Sequence, residues 1–102
     1  MNAKKEKAYA LLRKVPSGKI TTYGELAKTA GTHPRAVAMF MKHNKDPKNI
    51  PCYKVVRSDG SLGGYSGAGG VRQKIKLLKK DGIRVKNGRI DLKKHLHRFP
   101  KS

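Results

Sequence analysis

The sequence contains a single cysteine and has no long apolar segment. Cys52 has no partner for a disulfide within the chain, and without a Cys-x-x-Cys pair a zinc site made of thiolates is not expected. The four histidines are too scattered to complete a set of metal ligands. We therefore expect neither a metal nor a cofactor.

No apolar run approaches the roughly 20 residues that a transmembrane helix needs. The charged N-terminus is not followed by the apolar stretch of a signal peptide. We therefore expect no membrane association. The expected location is the compartment of synthesis, which is the cytoplasm, where the protein would associate with the nucleoid, or the nucleus.

Acidic residues are few. Against 6 Asp and Glu stand 25 Lys and Arg, so the formal net charge is +19 and the pI is near 10.5. So basic a domain indicates a polyanionic partner, and nucleic acid is the first candidate. An anionic membrane surface is the rival, but the basic residues are spread along the chain rather than along one amphipathic helix. The length of 102 residues predicts a single domain, 1–102, with a basic tail at 93–102.

Local signals in the first half predict three helices. Apolar residues at helical spacing predict an amphipathic helix over residues 4–14. Thr22 and Glu25 fit a capping box, which predicts a short helix ending near Ala30. Pro34 then opens a helix over residues 34–43. Two short helices joined by a turn of a few residues are typical of a helix-turn-helix.

The second helix of this pair has two different faces. One carries apolar side chains that are expected to be buried, namely Val37, Phe40 and Met41. The opposite face is basic and has small or flexible residues at its middle, namely Arg35, Ala38, Met39 and Lys42. Such a face would allow a backbone or a groove to approach closely.

Cys52 follows a proline and precedes a β-branched pair. Pro51 favours an extended residue before it, so we expect Cys52 at a turn that leads into a short strand over residues 53–57. If the chain performs covalent chemistry, Cys52 is its nucleophile. The alternative is that the thiol only packs, as free cysteines commonly do.

The second half alternates turns with short elements. A glycine-rich segment, 62–70, lacks the P-loop lysine, but it holds an aromatic residue and a hydroxyl where a ligand can come close. A helix is predicted over 71–80 through Val71, Ile75 and Leu78. A hairpin is predicted over 83–92 around an Asn-Gly turn, and a hairpin beside a helix-turn-helix is a wing. The predicted fold is therefore mostly α with short β-hairpins, a winged helix-turn-helix.

Four motifs occur in order along the chain. They are Val15-Pro16-x-Gly18-Lys19-Ile20-Thr21-Thr22-Tyr23-Gly24-x-Leu26-Ala27, Arg35-Ala36-Val37, Ile50-Pro51-Cys52 and Gly63-Gly64-Tyr65-Ser66-Gly67. Together they closely resemble the DNA-binding and catalytic domain of the O6-alkylguanine-DNA alkyltransferases. The resemblance extends over about residues 8–83, and the family's separate N-terminal domain is absent from it.

The resemblance implies a mechanism and a partner. The family binds duplex DNA in the minor groove through a winged helix-turn-helix, flips O6-alkylguanine out of the stack and moves the alkyl group irreversibly onto a cysteine. Carried over by motif, Cys52 would accept the group, Arg35 would fill the gap left by the base, and Tyr23 would help to rotate the nucleotide. A monomer is sufficient for transfer of one group to one thiol.

Further roles follow from the same resemblance. Asn44 would brace the active-site loop, while the guanine pocket would be lined by Val55, Tyr65 and Ser66. The implied DNA-contacting set is Thr21, Thr22, Arg35, Ala36, Ala38, Met39 and Lys42.

The chain departs from the family pattern beside the thiol. The family usually has Pro-Cys-His-Arg, with a glutamate near the end of a later helix, whereas Tyr53 and Lys54 follow Cys52 here and Asp81 stands in the glutamate position. Tyr53 and Asp81 are the residues that would complete a proton relay. A phenol with a reference pKa near 10 is a poor general base at neutral pH, so Lys54 and the positive field are the alternative means of favouring a thiolate.

Two alternatives to alkyl transfer remain open at this point. The first is an alkyltransferase-like protein that binds the lesion without transferring the group, although relatives with that role lack the cysteine. The second is a basic architectural DNA-binding protein in which the cysteine only packs.

Overall fold

The computed structural model describes residues 3–65 and 69–99. Within these residues the elements, in chain order, are α1 (Ala3–Arg13), β1 (Thr21–Thr22), α2 (Tyr23–Ala30), α3 (Pro34–Lys42), a 3-10 turn (Cys52–Lys54), β2 (Val55–Val56), α4 (Gly70–Lys80) and α5 (Leu92–His95). The predicted class, a mostly helical domain with a helix-turn-helix, is confirmed. None of the helices in the described ranges is long and apolar enough to cross a membrane.

The first three helices pack around one hydrophobic core. Ala8 and Leu12 of α1, Leu26 of α2 and Val37 of α3 are each fully buried in it. Full burial of an aliphatic side chain of the size of leucine or valine contributes about 1.5–3 kcal/mol. Tyr9 is buried as well, and its hydroxyl donates a hydrogen bond to the Phe40 carbonyl of α3. The helical spacing did not indicate this burial.

The helix-turn-helix is delimited by its capping residues. Thr22 Oγ1 accepts a hydrogen bond of 3.0 Å from the Glu25 amide, and α2 ends at Gly31 with a left-handed φ of 79°. His33 caps α3, because its Nδ1 accepts a hydrogen bond of 3.3 Å from the Ala36 amide. These local signals were in the sequence, and the predictions for α2 and α3 are confirmed.

A second core lies on the other side of the two-stranded sheet. It consists of Ile20, Val56, Leu62, Leu78, Ile83 and Ile90. β1 and β2 run parallel, with Thr21 opposite Val55 and Thr22 opposite Val56. Because Val55 belongs to the first core and Val56 to the second, the short strand after Cys52 joins the two cores.

The strand predicted over residues 53–57 is wrong in its first part. Cys52–Lys54 form a 3-10 turn in which the Lys54 amide donates to the Pro51 carbonyl over 3.1 Å. Pro51 has no amide of its own, but its carbonyl lies one turn before Lys54 and accepts this bond. The strand is therefore limited to Val55–Val56.

The bounds predicted for α4 are correct to within one residue, but its inward face differs from the prediction. Leu78 is fully buried as expected, whereas Val71 is 42% exposed and Lys74 is completely buried. The predicted apolar face was defined by Val71, Ile75 and Leu78 and did not include Lys74. Its ammonium can be buried because three backbone carbonyls accept hydrogen bonds from it.

The predicted wing is reduced to its turn. Lys86 and Arg89 exchange two backbone hydrogen bonds, of 2.9 and 3.0 Å, around Asn87 and Gly88, both of which have positive φ. Arg89 also makes an isolated bridge to Ser61, but no strand forms within 83–92. The turn forms because Asn87 and Gly88 adopt positive φ locally. A strand would need several consecutive paired residues, and here the pairing is limited to isolated bridges.

The beginning of the predicted basic tail is part of the fold. α5 is followed by Leu96, which bridges in parallel to Ile20. His95 is buried, and its Nδ1 lies 3.0 Å from the Gly18 carbonyl. The tail residues 100–102 lie outside the described residues.

Candidate functional site

A cavity of about 310 Å³ opens beside Cys52. Its lining comes from α2, α3, the 3-10 turn and the glycine-rich segment, and consists of Tyr23, Ala38, Met41, Lys42, Cys52, Gly64 and Tyr65. The structure thus brings together Cys52, Tyr23 and Tyr65, three residues to which the resemblance gives a role. Ala38 and Lys42 connect this cavity with the exposed face of α3.

Cys52 is fixed at the start of the 3-10 turn and is 6% exposed. Its amide donates to the Ile50 carbonyl over 2.7 Å. Within residues 3–65 and 69–99, no side chain forms a hydrogen bond with its sulfur. Nor does this part of the chain gather three His, Cys, Asp or Glu side chains as metal ligands. Among the described residues the thiol therefore lines this cavity without a hydrogen-bonding partner.

Asn44 braces the loop that leads to Cys52. Its side-chain amide donates to the Ile50 carbonyl over 2.8 Å, and its side-chain oxygen accepts from the Asp46 amide over 2.9 Å. Asn44 does not line the Cys52 cavity. In this position it holds the backbone two residues before Cys52.

A polar cluster lies behind the Cys52 turn. This Asp81 cluster consists of Ser17, Tyr53, Lys54 and Asp81. Lys54 Nζ lies 2.9 Å from Asp81 Oδ2 and also donates to the Pro16 carbonyl over 2.9 Å. Ser17 Oγ donates to Asp81 Oδ1 over 2.6 Å, and the Tyr53 hydroxyl donates to Asp81 Oδ2 over 3.4 Å. The cluster ties the Cys52 turn to the end of α4 and to the segment after α1.

The electrostatics of the Asp81 cluster follow from these contacts. Burial alone would raise the pKa of Asp81, but hydrogen bonds from Ser17 and Lys54 and the charge of Lys54 outweigh it, so this pKa lies below its ordinary value. Burial, followed by the nearby Asp81 carboxylate, raises the pKa of Tyr53 to about 12. Tyr53 therefore keeps its proton at neutral pH and directs it at Asp81, not at Cys52.

Lys74 supports the site and is not among the residues predicted from the sequence. Its ammonium donates to three backbone carbonyls, those of Val55 at 2.7 Å, Leu62 at 2.5 Å and Gly64 at 3.1 Å. These bonds join β2 to the glycine-rich segment that lines the cavity. A signal was present, because Lys74 stands in the apolar stripe of α4, four residues before Leu78.

Burial lowers the pKa of Lys74 to about 8. Cys52 opposes this decrease, and the positive charge of Arg57 adds to it. At neutral pH Lys74 therefore carries its proton, and the ammonium supplies one donor for each of the three carbonyls.

A second cavity, the outer groove, adjoins the first and has a volume of about 450 Å³. The two share Tyr23, Ala38 and Gly64. The other residues that line the outer groove are Pro34, Arg35, Arg57, Ser58 and Gly63. Arg35, Ala38, Met39 and Lys42 are all exposed, as predicted for the outer face of α3.

Some residues predicted to contact DNA or substrate lie elsewhere. The side chains of Thr21 and Val55 are fully buried, because both residues belong to the paired strands, and the contacts predicted for them stay predictions. Thr22 uses its hydroxyl to cap α2, and Ala36 is half-buried against the first core. Ser66 lies outside the described residues.

The chain matches a family model described as 6-O-methylguanine DNA methyltransferase, DNA binding domain, over residues 3–83. A bifunctional methyltransferase/endonuclease of Picrophilus torridus is 52% identical over 89 residues, which cover 85% of this chain and 29% of that protein. A methylated-DNA–protein-cysteine methyltransferase of Methanothermobacter thermautotrophicus is 45% identical over 69 residues, which cover 68% of this chain and 38% of that protein.

A solved structure gives the same result. The O6-methylguanine-DNA methyltransferase of Pyrococcus kodakaraensis strain KOD1 superposes with a TM-score of 0.70 at 40% identity, covering 81% of this chain and 48% of that one. The chain thus spans less than half the length of each of these three relatives. The resemblance carried by the four motifs is confirmed, and the chain belongs to the family of the 6-O-methylguanine DNA methyltransferase DNA-binding domain.

Proposed function

We propose that this domain extrudes O6-alkylguanine from duplex DNA and takes the alkyl group onto Cys52 in a single turnover. The observation that carries the proposal is the position of Cys52 in a cavity that also holds Tyr23 and Tyr65, beside the exposed face of α3. An alkyl group on a base edge is out of reach within the stack, so extrusion is required, and it costs roughly a few kcal/mol.

DNA binding is assigned to the exposed face of α3. Ala38 has a short side chain at the middle of this face, and Lys42 and Arg35 flank it with positive charge. The phosphate backbone accounts for most of the affinity in such interfaces, and a net charge of +19 suits it. Arg35, at the start of α3, is the residue proposed to fill the space that the flipped base leaves, since its guanidinium plane can stack on bases.

The extruded base is proposed to lie between the two tyrosines. Tyr23 and Tyr65 offer aromatic surfaces for a flat ligand, and Gly64 leaves space beside them. The sulfur of Cys52 attacks the carbon bound to O6. A C–S bond forms, the C–O bond breaks, and its electron pair remains on guanine, which takes up the proton released by the thiol. The products are guanine and S-alkylcysteine, so each molecule acts once.

Negative charge on the sulfur is proposed to be stabilised by cations rather than by a relay. Lys42 lines the cavity, and the ammonium of Lys74 is bound to the carbonyl of Gly64, which lines the same cavity. Neighbouring lysines favour thiolates in general. This arrangement needs no base at Tyr53.

A second function, lesion binding without transfer, is favoured by one observation. In the described part of the chain the Tyr53 hydroxyl is bound to Asp81, and no side chain forms a hydrogen bond with the Cys52 sulfur. A protein with this site and an inactive thiol would still hold an extruded base.

The intact mass of the protein after incubation with a duplex that contains one O6-methylguanine separates the two functions. We expect the wild type to gain one methyl group on Cys52. Cys52→Ser with the same duplex, and the wild type with an undamaged duplex, are expected to gain none. Selective lesion binding without a mass gain would replace transfer by recognition, and the absence of any selectivity would contradict both functions.

A further inference from the structure

Arg57 has no role in the reaction described above, yet its backbone is held rigidly at the edge of the site. It directly follows β2. Its amide donates to the Ser61 carbonyl over 2.9 Å, and its carbonyl accepts from the Gly60 amide over 2.9 Å. Both bonds belong to the tight turn after the strand. The base of the Arg57 side chain is therefore fixed with respect to the Cys52 turn, which lies on the other side of the strand.

Gly63 places the stem of Arg57 beside Tyr23. Gly63 has a φ of 69°, and a Cβ on it would lie 3.3 Å from Tyr23 Oη and 3.7 Å from Arg57 Cγ. The hydroxyl of Tyr23 and the stem of Arg57 thus meet the same glycine. Any larger residue at this position would be strained and would press against the tyrosine. Arg57 therefore lies next to the side chain proposed to rotate the nucleotide.

The outer groove is positively charged. Arg35 and Arg57 both line it, from α3 and from the residue after β2, and no acidic side chain belongs to its described lining. The ion pairs found in residues 3–65 and 69–99 are Lys54–Asp81, Arg89–Asp59 and Arg98–Glu25. Among these described residues, neither arginine of the groove is neutralised by a carboxylate, and both guanidinium forks are available to an anion.

We propose that Arg57 binds the phosphodiester group of the nucleotide whose base enters the Cys52 cavity. This assignment rests on the proposed function and names a further contact at the same site. The guanidinium fork matches the geometry of two phosphate oxygens. The outer groove shares Tyr23, Ala38 and Gly64 with the cavity, so a backbone lying in the groove is next to a base lying in the cavity. Arg57 acts on the phosphate, while Arg35 remains free to occupy the stack.

The first test is the salt dependence of binding to a lesion-containing duplex, measured in a Cys52→Ser background so that no transfer occurs. Arg57→Ala should weaken binding about tenfold and reduce the slope of log K against log salt by about 1. Arg57→Lys keeps the charge but loses the fork, so it should retain the slope and recover only part of the affinity. Arg13→Ala, which removes an exposed arginine at the end of α1, is the matched control and should change the slope by less.

The second test removes the phosphate charge instead of the arginine. In a series of duplexes, one phosphate near the lesion is replaced by a neutral methylphosphonate. When the phosphate that Arg57 binds is replaced, the protein that retains Arg57 should lose about tenfold in affinity. Arg57→Ala should lose almost no further affinity at that position. Such non-additivity is expected of two groups in contact. Additive losses at every position, or an Arg57→Ala effect no larger than that of Arg13→Ala, would overturn the assignment.

The two proposals fail in different ways. Methyl transfer is read from the mass of the protein with Cys52 intact, and the Arg57–phosphate coupling is read from binding alone. Coupling between Arg57 and a phosphate without methyl transfer would support the phosphate site and contradict the proposed reaction. Methyl transfer without this coupling would support the reaction and contradict the phosphate site.

Discussion

Two buried lysines support the surroundings of Cys52, and the protein holds them in different ways. Lys54, in the turn that begins at Cys52, is 5% exposed and pairs with the Asp81 carboxylate at 2.9 Å. Lys74, on α4, is fully buried and is bound by three backbone carbonyls. In the described residues it has no carboxylate partner. One ammonium is balanced by a charge and the other by peptide dipoles.

Because of this difference, Lys54 supports the structure of the Cys52 turn, whereas Lys74 also contributes positive charge. An ammonium that leaves water needs compensating partners, and both lysines have them. The Lys54–Asp81 pair adds little net charge beside the thiol, so its effect is to hold the Cys52 turn in place. Lys74 holds the glycine-rich segment and in addition leaves one uncompensated positive charge near the cavity. We therefore expect the loss of the Asp81 carboxylate to lower the free energy of unfolding. We expect the contribution of Lys74 to that free energy to depend on pH.

The largest effect is expected from Asp81→Ala. This change leaves the Lys54 ammonium buried without its counter-charge, so the free energy of unfolding should fall by about 3–5 kcal/mol in urea denaturation. Glu25→Ala, which breaks the more exposed pair with Arg98, is the matched control and should lower it by about 1 kcal/mol or less. Adding Lys54→Met to Asp81→Ala should restore much of the loss, because the uncompensated charge is then removed. Equal losses for Asp81→Ala and Glu25→Ala would contradict a structural role of the pair.

Local signals were sufficient to predict the helix-turn-helix and the position of the thiol. Thr22, Gly31 and Pro34 act within a few residues of their own positions, so the bounds of α2 and α3 could be derived from sequence. The Asn-Gly turn was predictable for the same reason. The cavity that contains Cys52 and Tyr65 followed from the order of the family motifs, which carry information that periodicity does not.

The contacts made by the two lysines could not be derived in this way. A lysine in a helical pattern is read as exposed, and the acceptors of Lys74 are carbonyls 10 to 19 residues away in the chain. The Asp81 cluster joins Ser17 to Asp81 across 64 positions. Thr21 and Val55 were assigned to contacts by motif, but the strand pairing that buries them is not visible in the motif. What the sequence lacked in each case was the identity of the distant partner.

A smaller effect should appear in the pH dependence of stability through Lys74. Its pKa is about 8 in the folded protein and 10.5 in the unfolded chain, so above pH 8 the unfolded state binds more protons. The free energy of unfolding of the wild type, relative to Lys74→Met, should therefore rise by about 2 kcal/mol between about pH 7 and 9.5. The comparison cancels the titration of the other lysines. A constant difference between the two proteins would show that Lys74 keeps its proton throughout, bound by its three carbonyls.

The smallest effect is expected from Tyr53→Phe, which separates the Asp81 cluster from the chemistry. The hydroxyl has a pKa of about 12 and makes a long hydrogen bond of 3.4 Å to Asp81, so at neutral pH it is a donor to a carboxylate and not a base. General base catalysis contributes about 10²–10⁴-fold to a rate. We therefore expect the single-turnover rate of methyl transfer to change by less than about tenfold, and the free energy of unfolding by less than about 1 kcal/mol. Tyr23→Phe, which removes a hydroxyl inside the cavity, serves as the comparison. A hundredfold loss of rate in Tyr53→Phe at unchanged stability would place this hydroxyl in the proton path. The Asp81 cluster would then take part in the reaction and would not only hold the Cys52 turn.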